Sequence, residues 1–189
     1  MIVSISASHY LDPAADTLLA RFPAPRRALF LDRDGVVNIN HGYVHAAGQT
    51  TWVGGIFELC RGAHAAGYLP VIVTNQAGIA RGYYTEAQFL AYTGWIHAQF
   101  AEQGAPLLAT YYCPHHPTEG LGPLLRECEC RKPAPGMLLG AADDLGIDLG
   151  TSVMVGDTES DIQAATAARL RQAKLFSGGD LPPFTEMFG

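Results

Sequence analysis

The sequence predicts an α/β fold, a three-layer, doubly wound and mostly parallel sheet. Three observations carry this: four apolar runs of strand length, segments of helical character between them, and cap or turn residues where one gives way to the other. The runs are RALFLD at 27–32, LPVIVTN at 69–75, LLATYYC at 107–113 and TSVMVGD at 151–157. Each is almost continuously apolar, as strands are when helices cover both faces of a sheet. Segments 55–67, 85–104, 135–146 and 159–170 supply the helices. Thr85 is placed to cap the second, and Gly67, Gly104 and Gly146 fall where helices should stop. Residues 1–26 read as an N-terminal extension with a marginal helical pattern in PAADTLLARF, 27–176 as the folded domain, and 177–189 as a tail rich in Gly and Pro.

The bulk numbers narrow the partners. With 48% hydrophobic and 16% charged residues, 189 residues suit one globular domain. A formal charge of -6 argues against nucleic acid, whose phosphates call for clustered Lys and Arg. A small molecule is the expected partner, and a monomer the expected state. No apolar stretch approaches the roughly 20 residues that cross a bilayer, and the N-terminus lacks a basic segment before its short apolar part. We therefore expect no membrane association and a cytoplasmic location. Of the four cysteines, Cys128 and Cys130 sit too close together for an ordinary disulfide framework. A reducing compartment and a metal fit them better.

In such a sheet, ligands bind beyond the carboxyl ends of the strands, where the strand order reverses. Polar residues collect at those ends: Asp32 and Asp34 after the first run, Thr74 and Asn75 at the second, Cys113 and His115 at the third, Asp157 at the fourth. Extended residues two apart point the same way, so Asp32 and Asp34 can face one ligand while Arg33 points elsewhere. Converging acids without basic partners repel each other unless a cation sits between them. A hard ion such as Mg²⁺ meets that need, with Asp157 as a third contributor. D-x-D-G is also an ordinary turn sequence, and the second acidic segment, VGDTESD, favours the site over the turn. Further along, Cys113-x-His115 and Cys128-x-Cys130 flank a loop, with His116 as an alternative to His115. Two close pairs of soft ligands suit a tetrahedral, structural Zn²⁺ with no open position. Cys60 lies in an apolar helical pattern and reads as a buried free thiol.

Four stretches then resemble the motifs of the haloacid dehalogenase superfamily phosphatases, in the family's order: FLDRDGVVN, VIVTNQAGIARG, Lys132 in CRKPAPGM, and VMVGDTESDIQAA. The resemblance implies a nucleophilic Asp32 that becomes an aspartyl phosphate, with Asp34 as general acid and then base. It implies Mg²⁺ held by Asp32, the backbone carbonyl of Asp34, and Asp157. Thr74, Asn75 and Gln76 would bind the phosphoryl group, Lys132 would offset its charge, and Asp161 would sit beside the metal. On the same resemblance His115 is the zinc ligand. Neither of the family's cap insertions has enough chain to form here, so the zinc-stapled loop would help wall the pocket.

The capless pattern with this loop resembles two related groups, heptose bisphosphate phosphatases and histidinol-phosphate phosphatases. NINHGYVH at 38–45, GIARGYYTEAQF at 78–89 and the long spacer in the cysteine cluster look like the heptose group. That resemblance implies removal of the 7-phosphate from a heptose 1,7-bisphosphate that feeds surface polysaccharide, with Asn40, His41, Gly42 and Tyr43 on the sugar and Arg131 on the second phosphate. Histidinol phosphate is the alternative substrate, and a zinc-stabilised binding module the alternative of another class. Two departures stand out. Thr158 replaces a Lys often found there, and ATAARLRQAKLFSGG lacks the small turn before the last strand. The final strand and helix are therefore expected to be altered or missing, with the N-terminal extension over that edge.

Overall fold

The computed structural model describes residues 8–189. In chain order its elements are β1 (Ser8–Leu11), α1 (Ala15–Arg21), β2 (Arg27–Leu31), α2 (Ile56–Ala65), β3 (Tyr68–Asn75), α3 (Ala77–Ala80), α4 (Glu86–Glu102), β4 (Ala109–Cys113), α5 (Gly136–Leu145), β5 (Val153–Gly156), α6 (Glu159–Ala167), β6 (Gln172–Leu175) and α7 (Phe184–Phe188). The strands form one sheet in the order β1-β4-β3-β2-β5-β6, all pairs parallel except β1 with β4. All four expected strands and four expected helices are present.

Alternation along the central strands divides the core in two. Leu29 and Leu31 of β2 face Ile56 and Leu59 of α2, Ile96 and Phe100 of α4, and Phe184 and Phe188 of α7. Ala28 and Phe30 face the other way, onto Leu18 of α1, Met137 and Leu138 of α5, and Ala164 of α6. Strands buried on both faces cannot alternate apolar with polar, which is why these runs read as unbroken. Helix α4 begins as its sequence asks: Thr85 Oγ1 accepts a bond from the Gln88 backbone amide and Gln88 Oε1 accepts one from the Thr85 backbone amide, a capping box.

The two ends of the sheet correct the sequence-based expectations. The last strand and helix are present: β6 runs parallel to β5, and α7 lays Phe184 against Tyr68 with ring centroids 4.9 Å apart. Arg169 takes a positive φ of 60° at the end of α6, the turn an Ala-Gly pair would otherwise make. Nor do the described residues of the N-terminal segment cover that edge; residues 1–7 of the expected extension lie outside the described residues. Its strand β1 pairs with β4 at the opposite one, and Asp12 fixes it there by accepting from His97 at 2.8 Å, whose other ring nitrogen meets Thr110 at 2.9 Å.

Chain order along the sheet reverses between β2 and β5. Leu31 pairs with Val155, and the Asp32 amide donates to the Val155 carbonyl at 3.0 Å. The residues after these strands, Asp32 and Asp157, therefore open onto one crevice at the switch point.

Candidate active site and metal centre

The crevice is a cleft of about 310 Å³ lined by Asp32, Asp34, Asn40, Gly42, Tyr43, Thr74, Asn75, Gln76, Lys132 and Asp157, together with Tyr84, Thr158, Ser160 and Asp161. At its floor Lys132 is 5% exposed, and its Nζ lies 2.6 Å from Asp32 Oδ1 and 2.6 Å from Asp161 Oδ1. It also donates to the Val73 carbonyl at 2.8 Å. Burial works against the ammonium, but the two carboxylates outweigh it and hold its pKa above the ordinary lysine value. Burial pushes Asp32 up to about 7, with Lys132 pulling down and Asp161 and Asp34 adding to the rise. Asp157 is raised too, chiefly by burial.

These shifts describe a centre with more buried acid than base. One oxygen from each of Asp32, Asp157 and Asp161 lies within 4.8 Å of the others, and Asp157 Oδ1 is buried without a hydrogen-bond partner. Hard oxygen donors converging with an excess of negative charge fit a divalent cation such as Mg²⁺. Gly35 makes the approach possible: its φ is +106°, and a Cβ there would sit 2.0 Å from Asp157 Oδ2. Asp161 is part of this floor rather than a bystander. Its Oδ2 accepts from the Thr158 hydroxyl at 2.8 Å and the Thr158 amide at 3.1 Å, which caps α6 and aims Oδ1 at Lys132.

Asp34 is held on both oxygens. Oδ2 accepts from Arg33 at 2.7 Å and Gln76 at 3.3 Å, and Oδ1 from Asn38 at 3.1 Å. Gln76 also donates to Thr74 Oγ1 at 2.8 Å and accepts from the Tyr84 hydroxyl at 2.5 Å. Asn75 clamps the Lys132 backbone, donating to its carbonyl and accepting from its amide, each at 3.0 Å. Two of the expected substrate contacts lie apart. His41 is exposed and meets Thr51 Oγ1 at 3.1 Å, and Arg131 donates to the His115 carbonyl at 3.2 Å. Neither lines the cleft. Sequence reading missed Arg33, Asn38 and Tyr84; the one available sign for Tyr84 was Gly78, where a Cβ would strike its ring at 2.2 Å.

Beside the cleft, Cys113, His115, Cys128 and Cys130 converge within 4.8 Å. Sulfur separations are 3.1 Å for Cys113–Cys130, 3.4 Å for Cys128–Cys130 and 3.5 Å for Cys113–Cys128, with His115 Nδ1 3.5 Å from Cys130. Zn–S bonds of about 2.3 Å in a tetrahedron imply about 3.7 Å between sulfurs, so the set fits zinc and is far too open for a disulfide. The Cys113–Cys130 contact draws the Cys130 thiol below its ordinary pKa and pushes Cys113 above its own, so the two sulfurs behave as one pair sharing a proton. His116 does not join the converging set; its Nδ1 accepts from the Thr118 and Glu119 amides in the adjoining turn.

Comparison with known proteins agrees with this geometry. A HAD-hydrolase-like family model matches residues 129–179. The D-glycero-beta-D-manno-heptose-1,7-bisphosphate 7-phosphatase of Pasteurella multocida is 49% identical over 85% of this chain and 86% of its own. The alpha-anomer enzyme of Burkholderia mallei is 52% identical over 75% of each chain. Among solved structures, the D,D-heptose 1,7-bisphosphate phosphatase of B. bronchiseptica, complexed with magnesium and phosphate, superposes with a TM-score of 0.71 at 33% identity, covering 82% of each chain.

Proposed function

From the premise that this chain belongs to the haloacid-dehalogenase-like phosphatases, in the branch of the heptose bisphosphate enzymes, we propose that it removes the 7-phosphate of D-glycero-D-manno-heptose 1,7-bisphosphate. The observation that carries the reading is the buried Asp32, paired with Lys132 at 2.6 Å and facing Asp34, Thr74 and Asp157 in one cleft.

In the first step a carboxylate oxygen of Asp32 attacks phosphorus. The bond from phosphorus to the sugar oxygen breaks, and Asp34 gives that oxygen its proton. Water then attacks the aspartyl phosphate, Asp34 takes up its proton, the bond to Asp32 breaks, and inorganic phosphate leaves. Lys132 keeps its contact to Oδ1, which leaves Oδ2 as the nucleophile and places a positive charge beside the incoming phosphoryl oxygens. Mg²⁺, held by Asp32, Asp157 and the backbone carbonyl of Asp34, would screen the repulsion between carboxylate and phosphate. Thr74 and Gln76 orient the phosphoryl group and Asp34 together. Asn75 holds the Lys132 backbone with its carbonyl oxygen and one N–H, and its second N–H serves the phosphoryl group from the cleft lining.

The sugar lies against Asn40, Gly42 and Tyr43, which line the mouth. His41 contributes only by turning toward the sugar, and Arg131 toward the second phosphate, when substrate is bound. Zn²⁺ is structural, on the four-ligand cluster. A cytoplasmic location and a role in supplying nucleotide-activated heptose for surface polysaccharide belong to the same reading, supported by cysteines that form no disulfide among the described residues.

The test is phosphate release with Mg²⁺ from both heptose 1,7-bisphosphate anomers and from histidinol phosphate, side by side, with Asp32→Asn as control. Release from a heptose bisphosphate, leaving the 1-phosphate and absent in the control, supports the reading. Preference for histidinol phosphate, or release that ignores Asp32, overturns it.

A further inference from the structure

We propose that Arg33 orients the Asp34 carboxylate and is thereby a positioning residue for both proton transfers; the proposal rests on the phosphatase reading above. Alternation along an extended chain sends Arg33 away from the ligand side, and by that rule it has no part in the site. The chain turns immediately, however, with the Arg33 carbonyl accepting from the amides of Val37 at 2.8 Å and Asn38 at 3.1 Å. The guanidinium comes back under the turn. Its Nη2 donates to Asp34 Oδ2 at 2.7 Å and to the Val44 carbonyl at 2.6 Å.

The surroundings make this a directed contact. Arg33 is 1% exposed, and among the described residues Asp34 is its one ion-pair partner. Nε and Nη1 have no hydrogen-bond partner and lie in an aromatic corner, the guanidinium carbon 5.7 Å from the Phe89 ring and 5.4 Å from the Tyr92 ring of α4. Capping Val44 would need only a neutral donor. A buried cation with two nitrogens that make no hydrogen bond is a costly way to do it; the two ring faces offset part of that cost, and the fixed counter-charge of Asp34 offsets most of the rest. Of the three groups bonded to Asp34, Arg33 alone is charged and anchored in the core, so it sets the direction in which the carboxylate points. The same nitrogen joins Asp34 to Val44, in the loop that carries Asn40, Gly42 and Tyr43. Acid and sugar loop thus share one support.

The experiment is a double-mutant cycle on full-length, zinc-loaded protein with Mg²⁺, read as single-turnover phosphate release from the heptose bisphosphate. Arg33→Met, which keeps length and loses charge, should lower the rate about 100-fold, the scale of proton-transfer catalysis, with KM within about 3-fold. In an Asp34→Asn background the same change should cost less than about 2-fold, because the residue it acts through is already disabled. Arg33→Lys should recover part of the loss, since an ammonium can pair with Asp34 without the second donor for Val44. Should Arg33→Met fail to fold, Arg33→Lys carries the same cycle. Losses that multiply in the double variant, or an unchanged rate in Arg33→Met, overturn the proposal. If Asp32→Asn and Asp34→Asn both keep the wild-type rate, it is the phosphatase reading that fails.

Discussion

Replacing Lys132 by Met tests the electrostatics of the cleft floor directly. The ammonium sits 2.6 Å from each of two buried carboxylate oxygens. At an effective dielectric near 20 each pair attracts by about 6 kcal/mol, most of which is offset by the desolvation of three buried charges. Removing the shared cation strands Asp32 and Asp161 together, and breaking a buried pair in this way costs about 3–5 kcal/mol. For a chain of this size that lowers Tm by roughly 6–20 °C. The assay is urea and thermal unfolding of zinc-loaded protein, first without and then with millimolar Mg²⁺. Without Mg²⁺ the full loss is expected. With it, the loss should shrink, because a cation bound by the same carboxylates takes over part of the compensation. Turnover should fall by about 100-fold or more in both conditions, since the positive charge beside the phosphoryl group is gone. A variant within 1 kcal/mol of wild type, indifferent to Mg²⁺, would refute the reasoning, because the floor would then not be held by ionic balance.

Other substitutions probe the remaining supports. Gly35→Ala forces a Cβ into Asp157 at a φ of +106° and should weaken Mg²⁺ binding at least 10-fold while costing about 1–3 kcal/mol of stability; a magnesium titration of activity measures it. Cys128→Ser should abolish zinc retention, lower Tm and reduce kcat/KM through displacement of Lys132, measurable as zinc content beside activity. Phe184→Ala should cost about 3–5 kcal/mol in urea denaturation, since Phe184 is 3% exposed between α2 and Tyr68. His64 is a pH probe away from the cleft. Burial lowers its pKa below 6.5 although its Nε2 meets the Pro106 carbonyl at 2.7 Å. The unfolded chain therefore binds the extra proton first, so stability contributed by neutral His64 is complete above pH 6.5 and declines as pH falls toward the folded value. A His64→Asn variant should show a flatter stability profile between pH 7 and 5.

What the sequence made legible follows from how local each signal was. Asp32, Asp34, Thr74 and Asp157 stand at the ends of buried strands, and strand ends announce themselves as the point where an apolar run meets polar residues. Lys132 was legible only through the resemblance of CRKPAPGM to a family motif, since no apolar run or strand end marks it. The edge elements were not. Strand β1 is four residues with half its side chains exposed, and β6 reads QAKL, neither of which carries an apolar run or a clean alternation. Partners set by tertiary approach were equally silent: nothing near Arg33 in sequence points to Phe89 and Tyr92, and nothing in Asn75 says that its side chain also grips the Lys132 backbone.

The same distances explain why one chain would need two different cations. Reversal of strand order at β2 and β5 brings Asp32 and Asp157 together with no basic residue of either strand beside them, Arg27 lying at the far end of β2. The permanent counter-charge must come from elsewhere, and it arrives from Lys132, one hundred positions along, two residues beyond Cys130. A loop with no regular structure beyond one short turn could not hold an ammonium at 2.6 Å from its target against thermal motion and solvation. Asn75 fixes its backbone from the sheet side, and the cysteine cluster fixes it from the other. Zinc would thus act on the chemistry at a distance, by setting where the lysine stands. Magnesium would enter only the remaining charge gap at Asp157, where a buried oxygen has no partner. Stripping zinc should therefore weaken magnesium binding and turnover together, whereas stripping magnesium should leave the zinc loop in place.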